Sequence, residues 1–272
     1  MNTPTDTDHL SPTEQQLQSG FDAFHTARSR TSLVTQLYGQ AMGDDHPVEV
    51  GASSSCDWPL LAILSARLRM TPGHALADLG CGSGGVGLWV ARALAVHLVG
   101  VDISPAAVKL ATARRTRFIP RGQADFRVGT LANTGLADQS VDGIICVDAA
   151  GCAPDRAATL REMQRILRPG ARAVLTQALR HGARAPWTEQ AEQAGLLVEA
   201  VDERPTEPLM WGRLYRLWIT RETDLRRELG DQAADRMLAE ARRKLPTLAG
   251  RRAVALTLRR PTDCPGRCLD AR

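Results

Sequence analysis

Apolar positions recur along this chain with two different periods, and the change from one to the other divides it. Over residues 13–42 they fall at helical spacing, Leu17, Phe21 and Phe24 and then Leu33, Val34, Leu37 and Tyr38, with Gly20 and Gly39 as interruptions. Two short helices are expected there. Farther on, the run from Trp58 to Met70 places Leu60, Leu61, Leu64 and Leu68 on one helical face, and Asp57 with Pro59 reads as an N-cap with proline in the first turn. From residue 75 short apolar runs alternate with helical stretches. Strands are predicted over 75–79, 98–102, 125–128, 141–147, 171–177 and 197–202, and helices over 86–95, 104–115, 156–167 and 187–194. Residues 206–245 return to helical spacing, and Arg252–Arg259 reads as a last strand.

Strands alternating with helices imply right-handed crossovers, and hence a doubly wound α/β fold: a mostly parallel seven-stranded sheet with helices on both faces. The pattern divides the chain into a flexible leader (1–12), an N-terminal helical lid or substrate region (13–70), a core (71–261) with a helical insertion at about 204–245, and a flexible tail (262–272). The helical additions at either end serve as a lid or as a homodimer contact.

Composition narrows the class. With 43% apolar residues over 272 positions the chain can bury a full core. The apolar stretch Leu88–Val101 is interrupted by Arg92 and His97 and is shorter than a membrane span requires. The first residues lack the basic start and apolar middle of a secretory signal, so a cytoplasmic location is expected. Of six cysteines only Cys264 and Cys268 are closely spaced, without partner ligands nearby, and no metal is expected. Cys81 and Cys146 read as small reduced core residues. The net charge is +4, but the basic residues are scattered and aromatics make up only 4% of the chain, which disfavours nucleic acid as partner.

The segment Ala77-Asp78-Leu79-Gly80-Cys81-Gly82-Ser83-Gly84-Gly85 follows a predicted strand and opens a helix. Such a turn brings ligand atoms against bare backbone. Gly80, Gly82 and Gly85 also fit the spacing of a dinucleotide turn, with Asp102 about 20 residues on to hold a ribose, so an NAD(P)-dependent oxidoreductase is one reading. Asp78 argues against it. A carboxylate beside the turn opposes a pyrophosphate at the helix N-terminus, whereas it stabilises the ammonium and sulfonium of S-adenosylmethionine. Asp102 ends the second strand and can accept hydrogen bonds from both ribose hydroxyls, while Ser104 supplies the N-cap of the next helix.

Together these residues resemble a class I, Rossmann-like S-adenosylmethionine-dependent methyltransferase of the small-molecule, natural-product branch. Four motifs occur in order between Ala75 and Gln177: D-L-G-C-G-S-G, V-G-V-D-I-S, the loop from Gly129 through A-D-Q-S-V-D at 137–142, and R-I-L-R-P-G-A at 165–171. The resemblance implies that Gly80, Gly82 and Gly84 line the methionine part of the cofactor and that Asp102 holds its ribose, with Asp78, Cys81, Ser83 and Ile103 expected beside them as cofactor-binding residues. Thr130 and Leu131 would meet the adenine, although relatives commonly carry Gly-Asp-Ala where this chain has Gly129-Thr130-Leu131. S-adenosylhomocysteine would be the product, and a small molecule the acceptor. A methyltransferase-like module that binds cofactor without transferring methyl is the third reading.

Methyl transfer from a sulfonium is an in-line displacement in which the cofactor carries the activated group, so the protein supplies alignment and excludes water. An oxygen or protonated nitrogen acceptor would need a base. Asp148 at the fourth strand's tip, His181, His46 and His25 are the candidates, and Asp148 would also face the cofactor. Tyr38, Trp58, Trp187, Met210, Trp211 and Tyr215 are expected as walls of an apolar or aromatic acceptor pocket.

Overall fold

The structure, a computed structural model, describes residues 10–180, 182 and 186–262. The start of the expected leader, His181, and the tail from 263 with Cys264 and Cys268 lie outside the described residues. All seven expected strands form: β1 (Ala75–Leu79), β2 (His97–Asp102), β3 (Ala124–Val128), β4 (Val141–Cys146), β5 (Leu167–Arg180), β6 (Leu197–Glu203) and β7 (Arg251–Arg259). They make one sheet in the order β3-β2-β1-β4-β5-β7-β6, in which only β7 runs antiparallel to its neighbours. β5 begins earlier than its apolar run because Leu167 already pairs with Val141; Pro169 and Gly170 are taken up where the register slips before Gly143.

Alternate residues of the central strands enter two different cores. Leu76 and Ile145 face the layer of α3 (Trp58–Leu68) and α4 (Gly85–Leu94), whereas Ala77, Leu79, Ile144 and Cys146 face α6 (Arg156–Ile166) and α7 (Trp187–Gln193). A sheet covered on both faces needs apolar residues at both phases of the strand, hence the continuous runs in β1 and β4. Helix α5 (Pro105–Arg114) packs on β2 and β3.

The first helix runs without a break from Pro12 to Arg28 (α1), through Gly20. A single glycine costs about 1 kcal/mol in a helix, a cost offset by the capping box between Ser11 and Glu14, so the break falls instead at Ser29–Ser32. Gly39 likewise lies inside α2 (Leu33–Met42), whose face is buried at Leu33, Val34, Leu37, Tyr38, Ala41 and Met42. The insertion between β6 and β7 forms α8 (Glu207–Thr220), α9 (Glu222–Leu229) and α10 (Asp231–Lys244), which share a third core with α2. Among the described residues no helix is long and apolar enough to cross a membrane, and Cys56, Cys81, Cys146 and Cys152 are free thiols.

Candidate active site

A cavity of about 440 Å³ opens beyond the C-terminal ends of β1, β2 and β4, where a doubly wound sheet reverses its winding. Its floor is the turn after β1. Gly80 holds φ +73°, and a Cβ there would stand 2.3 Å from the Ala149 Cβ, so only bare backbone fits between the turn and the β4 tip. Gly80, Cys81, Gly82 and Ser83 line the cavity. Gly84 does not. It sits at the N-cap of α4 with φ +77°, pressed against Ala111 and Phe126, and Gly85 takes its expected place on the wall.

Asp102 is buried, with both carboxylate oxygens held by backbone: Gly82 N–H donates to Oδ2 over 2.8 Å and Ser104 N–H to Oδ1 over 2.9 Å. Burial raises its pKa against the pull of these two donors. A carboxylate has about four acceptor positions, so capacity for ribose hydroxyls remains on the cavity side. Ser104 is the N-cap of α5, accepting from Ala107 N–H.

Asp78 also lines the cavity, but its side chain leans under α4, where Oδ2 accepts from Gly87 N–H over 3.1 Å. It thereby caps a helix whose N-cap residue, Gly84, has no side chain to do so. Burial pushes its pKa up to about 7, opposed by the Gly87 hydrogen bond and reinforced by Asp102. Ile103, Thr130 and Leu131 also line the wall, with the Thr130 hydroxyl accepting from Asn133 N–H.

Of the expected bases, His25 reaches the cavity. It projects from α1 over the turn, its Cε1 3.5 Å from where a Gly82 Cβ would stand. Burial and the nearby Arg28 charge lower its pKa to about 4, against a smaller upward pull from Asp22. Asp148 lines the cavity too, but its carboxylate is committed. It accepts from Ser55 N–H (2.6 Å), Ser55 Oγ (3.1 Å) and Thr176 Oγ1 (2.9 Å), and its residue holds φ +55°. Arg204, buried, donates to Ser55 Oγ over 2.9 Å and to Ser55 O, and lies 3.4 Å from Asp57. Asp148 is thus a clamp on the segment 53–57. His46 is elsewhere, its Nδ1 3.3 Å from Met42 Sδ and its ring against Gly39.

None of the six expected wall residues lines the cavity. Tyr38, Met210, Trp211 and Tyr215 interlock between α2 and α8, Tyr38 and Trp211 edge to face at 6.1 Å and Trp211 and Tyr215 stacked at 5.3 Å. Trp187 belongs to the core under α7, and Trp58 lies 40% exposed against Trp89. The wall comes instead from the inner face of α1, with Leu17, Phe21 and Phe24, and from Ala52, Ser53 and Ser54. Helix α1 is fastened there by Gln18 Nε2 donating to Ile103 O over 3.0 Å and by Asp22, which accepts from Ser104 Oγ and from Ala106 N–H over 3.0 Å. The segment 49–54 packs so closely on the turn that a Gly85 Cβ would stand 1.9 Å from Val50 O. Arg114 ties the two together, donating to Ser83 Oγ and to Val50 O. The glycine, alanine and serines of 51–55 were a signal of close backbone approach that reads, in sequence alone, as a polar loop.

Among the described residues five carboxylates line the cavity, Glu14, Asp78, Asp102, Asp148 and Asp155, and no lysine or arginine does. Such a surface repels a pyrophosphate and favours a ligand that carries positive charge. Among the described residues no group of three His, Cys, Asp or Glu is placed to hold a metal ion.

The strand order and this site define a class I, Rossmann-like methyltransferase fold. Residues 77–175 match the family described as "Methyltransferase domain", and this part of the chain is a class I S-adenosylmethionine-dependent methyltransferase domain. An O-methyltransferase of Aspergillus nomiae is 30% identical over 109 residues, 40% of this chain and 48% of that protein. The 27-O-demethylrifamycin SV methyltransferase of Amycolatopsis mediterranei is 27% identical over 165 residues, 60% of this chain and 58% of that protein. The match thus spans about half the length of these curated relatives. Over nearly the whole chain the fold is similar to that of SpnF, a 4+2 cyclase, with a TM-score of 0.73 and 20% identity, covering 93% of this chain and 98% of that one.

Proposed function

We propose that this protein transfers a methyl group from S-adenosylmethionine to an O, N or C atom of a small, apolar or aromatic natural product. The observation that carries the reading is the glycine-floored cavity, walled by carboxylates and, among the described residues, free of lysine and arginine. When bound, S-adenosylmethionine supplies a methyl group already activated on its sulfonium. Asp102 accepts the ribose hydroxyls, Asp78 faces the ammonium, Ile103 and Leu131 pack on the adenine, and Thr130 offers its hydroxyl to the ring edge. The apolar face of α1, with Leu17, Phe21 and Phe24, holds the acceptor and excludes water, which makes the N-terminal helices a lid over the site.

His25 is the base. Its imidazole is neutral across the physiological range, and no side chain of the described residues hydrogen-bonds to it, so a ring nitrogen is free to take the proton of an acceptor hydroxyl or amine. Asp148 contributes by holding Ser55, and with it the adjoining wall residues Ser53 and Ser54. The natural-product acceptor is supported by the names of the relatives, which include an O-methyltransferase and a demethylrifamycin methyltransferase. The proposal includes a cytoplasmic enzyme, with α8–α10 as a lid or homodimer contact.

The test is parallel calorimetric titration with S-adenosylmethionine, S-adenosylhomocysteine and NAD. Micromolar binding of the first two and none of NAD is expected; binding of NAD alone would return the site to an oxidoreductase. Tight cofactor binding with no methyl consumption across an acceptor panel would make the chain a non-methylating binding module.

A further inference from the structure

Ser55 is held on all of its polar groups. Its N–H and its hydroxyl donate to Asp148, over 2.6 Å and 3.1 Å, while its Oγ and its carbonyl accept from the Arg204 guanidinium, the former over 2.9 Å. The serine thus stands between a carboxylate past the end of β4 and a cation that follows β6, and both Ser55 and Arg204 are buried. The ion pair of Arg204 is with Asp57, 3.4 Å away, whose Oδ1 also takes Leu60 N–H over 2.8 Å as the N-cap of α3. Burying a cation for an ion pair of that length returns little stability, and an apolar side chain of similar volume packs as well. A guanidinium adds direction instead, two N–H groups aimed at two oxygens of one residue.

What it directs is the stretch just before Ser55. Among the described residues Gly51–Ser54 makes no backbone hydrogen bond and carries no side chain larger than serine, yet Ala52, Ser53 and Ser54 line the cavity. Such a strap has no ladder or helix to fix it and is placed by its ends. At one end Val50 O accepts from Arg114 over 2.8 Å and presses on Gly85 of the turn. Ser55 is the other end. Both bear on the cavity floor: Arg114 also donates to Ser83 Oγ over 3.0 Å, and Asp148 is followed by Ala149, which packs on Gly80.

We propose that Arg204, which does not itself line the cavity, is a positioning residue: through Ser55 it holds the strap 51–54 and the β4 tip against the floor on which the nucleoside binds. The inference rests on the methyltransferase reading. Its consequence is that a residue 149 positions from Ser55 in sequence sets the affinity of a ligand it never touches.

The test is calorimetric titration of S-adenosylhomocysteine into wild type, Arg204→Met, Arg204→Lys, Ser55→Ala and the double variant Ser55→Ala with Arg204→Met. Arg204→Met should raise Kd by roughly 3–30-fold at full stoichiometry. The same substitution should cost less in the Ser55→Ala background, because the contact through which it acts is already weakened. A lowered stoichiometry with unaltered Kd would mean that Arg204 only supports folding. An unaltered Kd at full stoichiometry, or an equal cost in both backgrounds, would take its influence away from Ser55; each of these three results overturns the proposal. Should Arg204→Met not fold, Arg204→Lys is read in the same way, since an ammonium lacks the planar fork that matches the two Ser55 oxygens: a several-fold rise in Kd is expected, and wild-type affinity overturns the inference. If wild type does not bind S-adenosylhomocysteine, it is the methyltransferase reading that fails. The positioning role is then judged in the free protein by hydrogen exchange at the Ser55 amide, where faster exchange confined to residues 50–57 in the arginine variants supports it and wild-type exchange overturns it.

Discussion

Ser55 N–H donates to Asp148 Oδ2 over 2.6 Å, joining the segment before α3 to the tip of β4 across 93 positions of sequence. Thr176 closes the arrangement from β5, accepting from Asp148 N–H over 2.7 Å and donating to its carboxylate over 2.9 Å. Removing the carboxylate leaves Ser55 N–H without its acceptor and Arg204 bound to an unanchored loop. Asp148→Ala should therefore lower stability by about 1–3 kcal/mol, the cost of losing hydrogen bonds to a charged acceptor, read by urea unfolding. The pH profile of kcat/KM should keep its acidic limb in this variant. If that limb vanishes while stability holds, Asp148 is the base rather than a clamp.

Asp102 supports the glycine turn and lines the cavity with the same side chain, where the ribose is proposed to bind. Asp102→Ala should weaken S-adenosylhomocysteine by roughly 10–100-fold. Calorimetry giving wild-type affinity would refute the ribose assignment.

Asp78 should report cofactor binding as a proton release. Its pKa in the free protein is raised from 3.8 to about 7, so its contribution to stability is present below 3.8 and is lost as pH rises through about 7. A cationic ligand beside it favours the ionised form. Binding near pH 7 should therefore expel protons, seen as a dependence of the calorimetric enthalpy on buffer ionisation enthalpy, and this dependence should disappear in Asp78→Asn. Wild-type enthalpies independent of buffer would show that no such charge approaches Asp78.

His25 runs in the opposite sense. Its pKa is lowered from 6.5 to about 4, so its contribution to stability is present above 6.5 and is lost as pH falls through about 4. As a base it should place the acidic limb of kcat/KM near 4 rather than 6.5. His25→Asn should reduce kcat by roughly 10²–10⁴-fold while leaving S-adenosylhomocysteine affinity within a few-fold of wild type. A limb near 6.5, or a full rate in the variant, would remove His25 from the chemistry. Because Asp78 and His25 act oppositely between pH 4 and 6.5, stability curves are compared in the two single variants rather than in wild type alone.

How far the site was legible depended on the range of the contact. The turn at 80–85, Asp78 and Asp102 follow from residue types at fixed local offsets, and the structure brings them to one cavity. The six residues expected as an acceptor wall do not line this cavity. Helical spacing at Tyr38 and at Met210, Trp211 and Tyr215 reveals a buried face without saying what buries it, and α2 and α8 bury each other. Conversely, Leu17, Phe21 and Phe24 look like an ordinary core face, yet they front the cavity because Asp22 and Gln18 fasten α1 beside Asp102.

The sequence by itself determined the elements, the doubly wound order of strand and helix, and the chemistry of the turn after β1, because period, capping and glycine placement are properties of neighbouring residues. The tertiary structure alone decided that Ser55 engages Asp148, that Val50 presses on Gly85, and that His25 hangs over Gly82. Each of these depends on where a segment distant in sequence is brought to rest by core packing, and spacing along the chain holds no information about that distance.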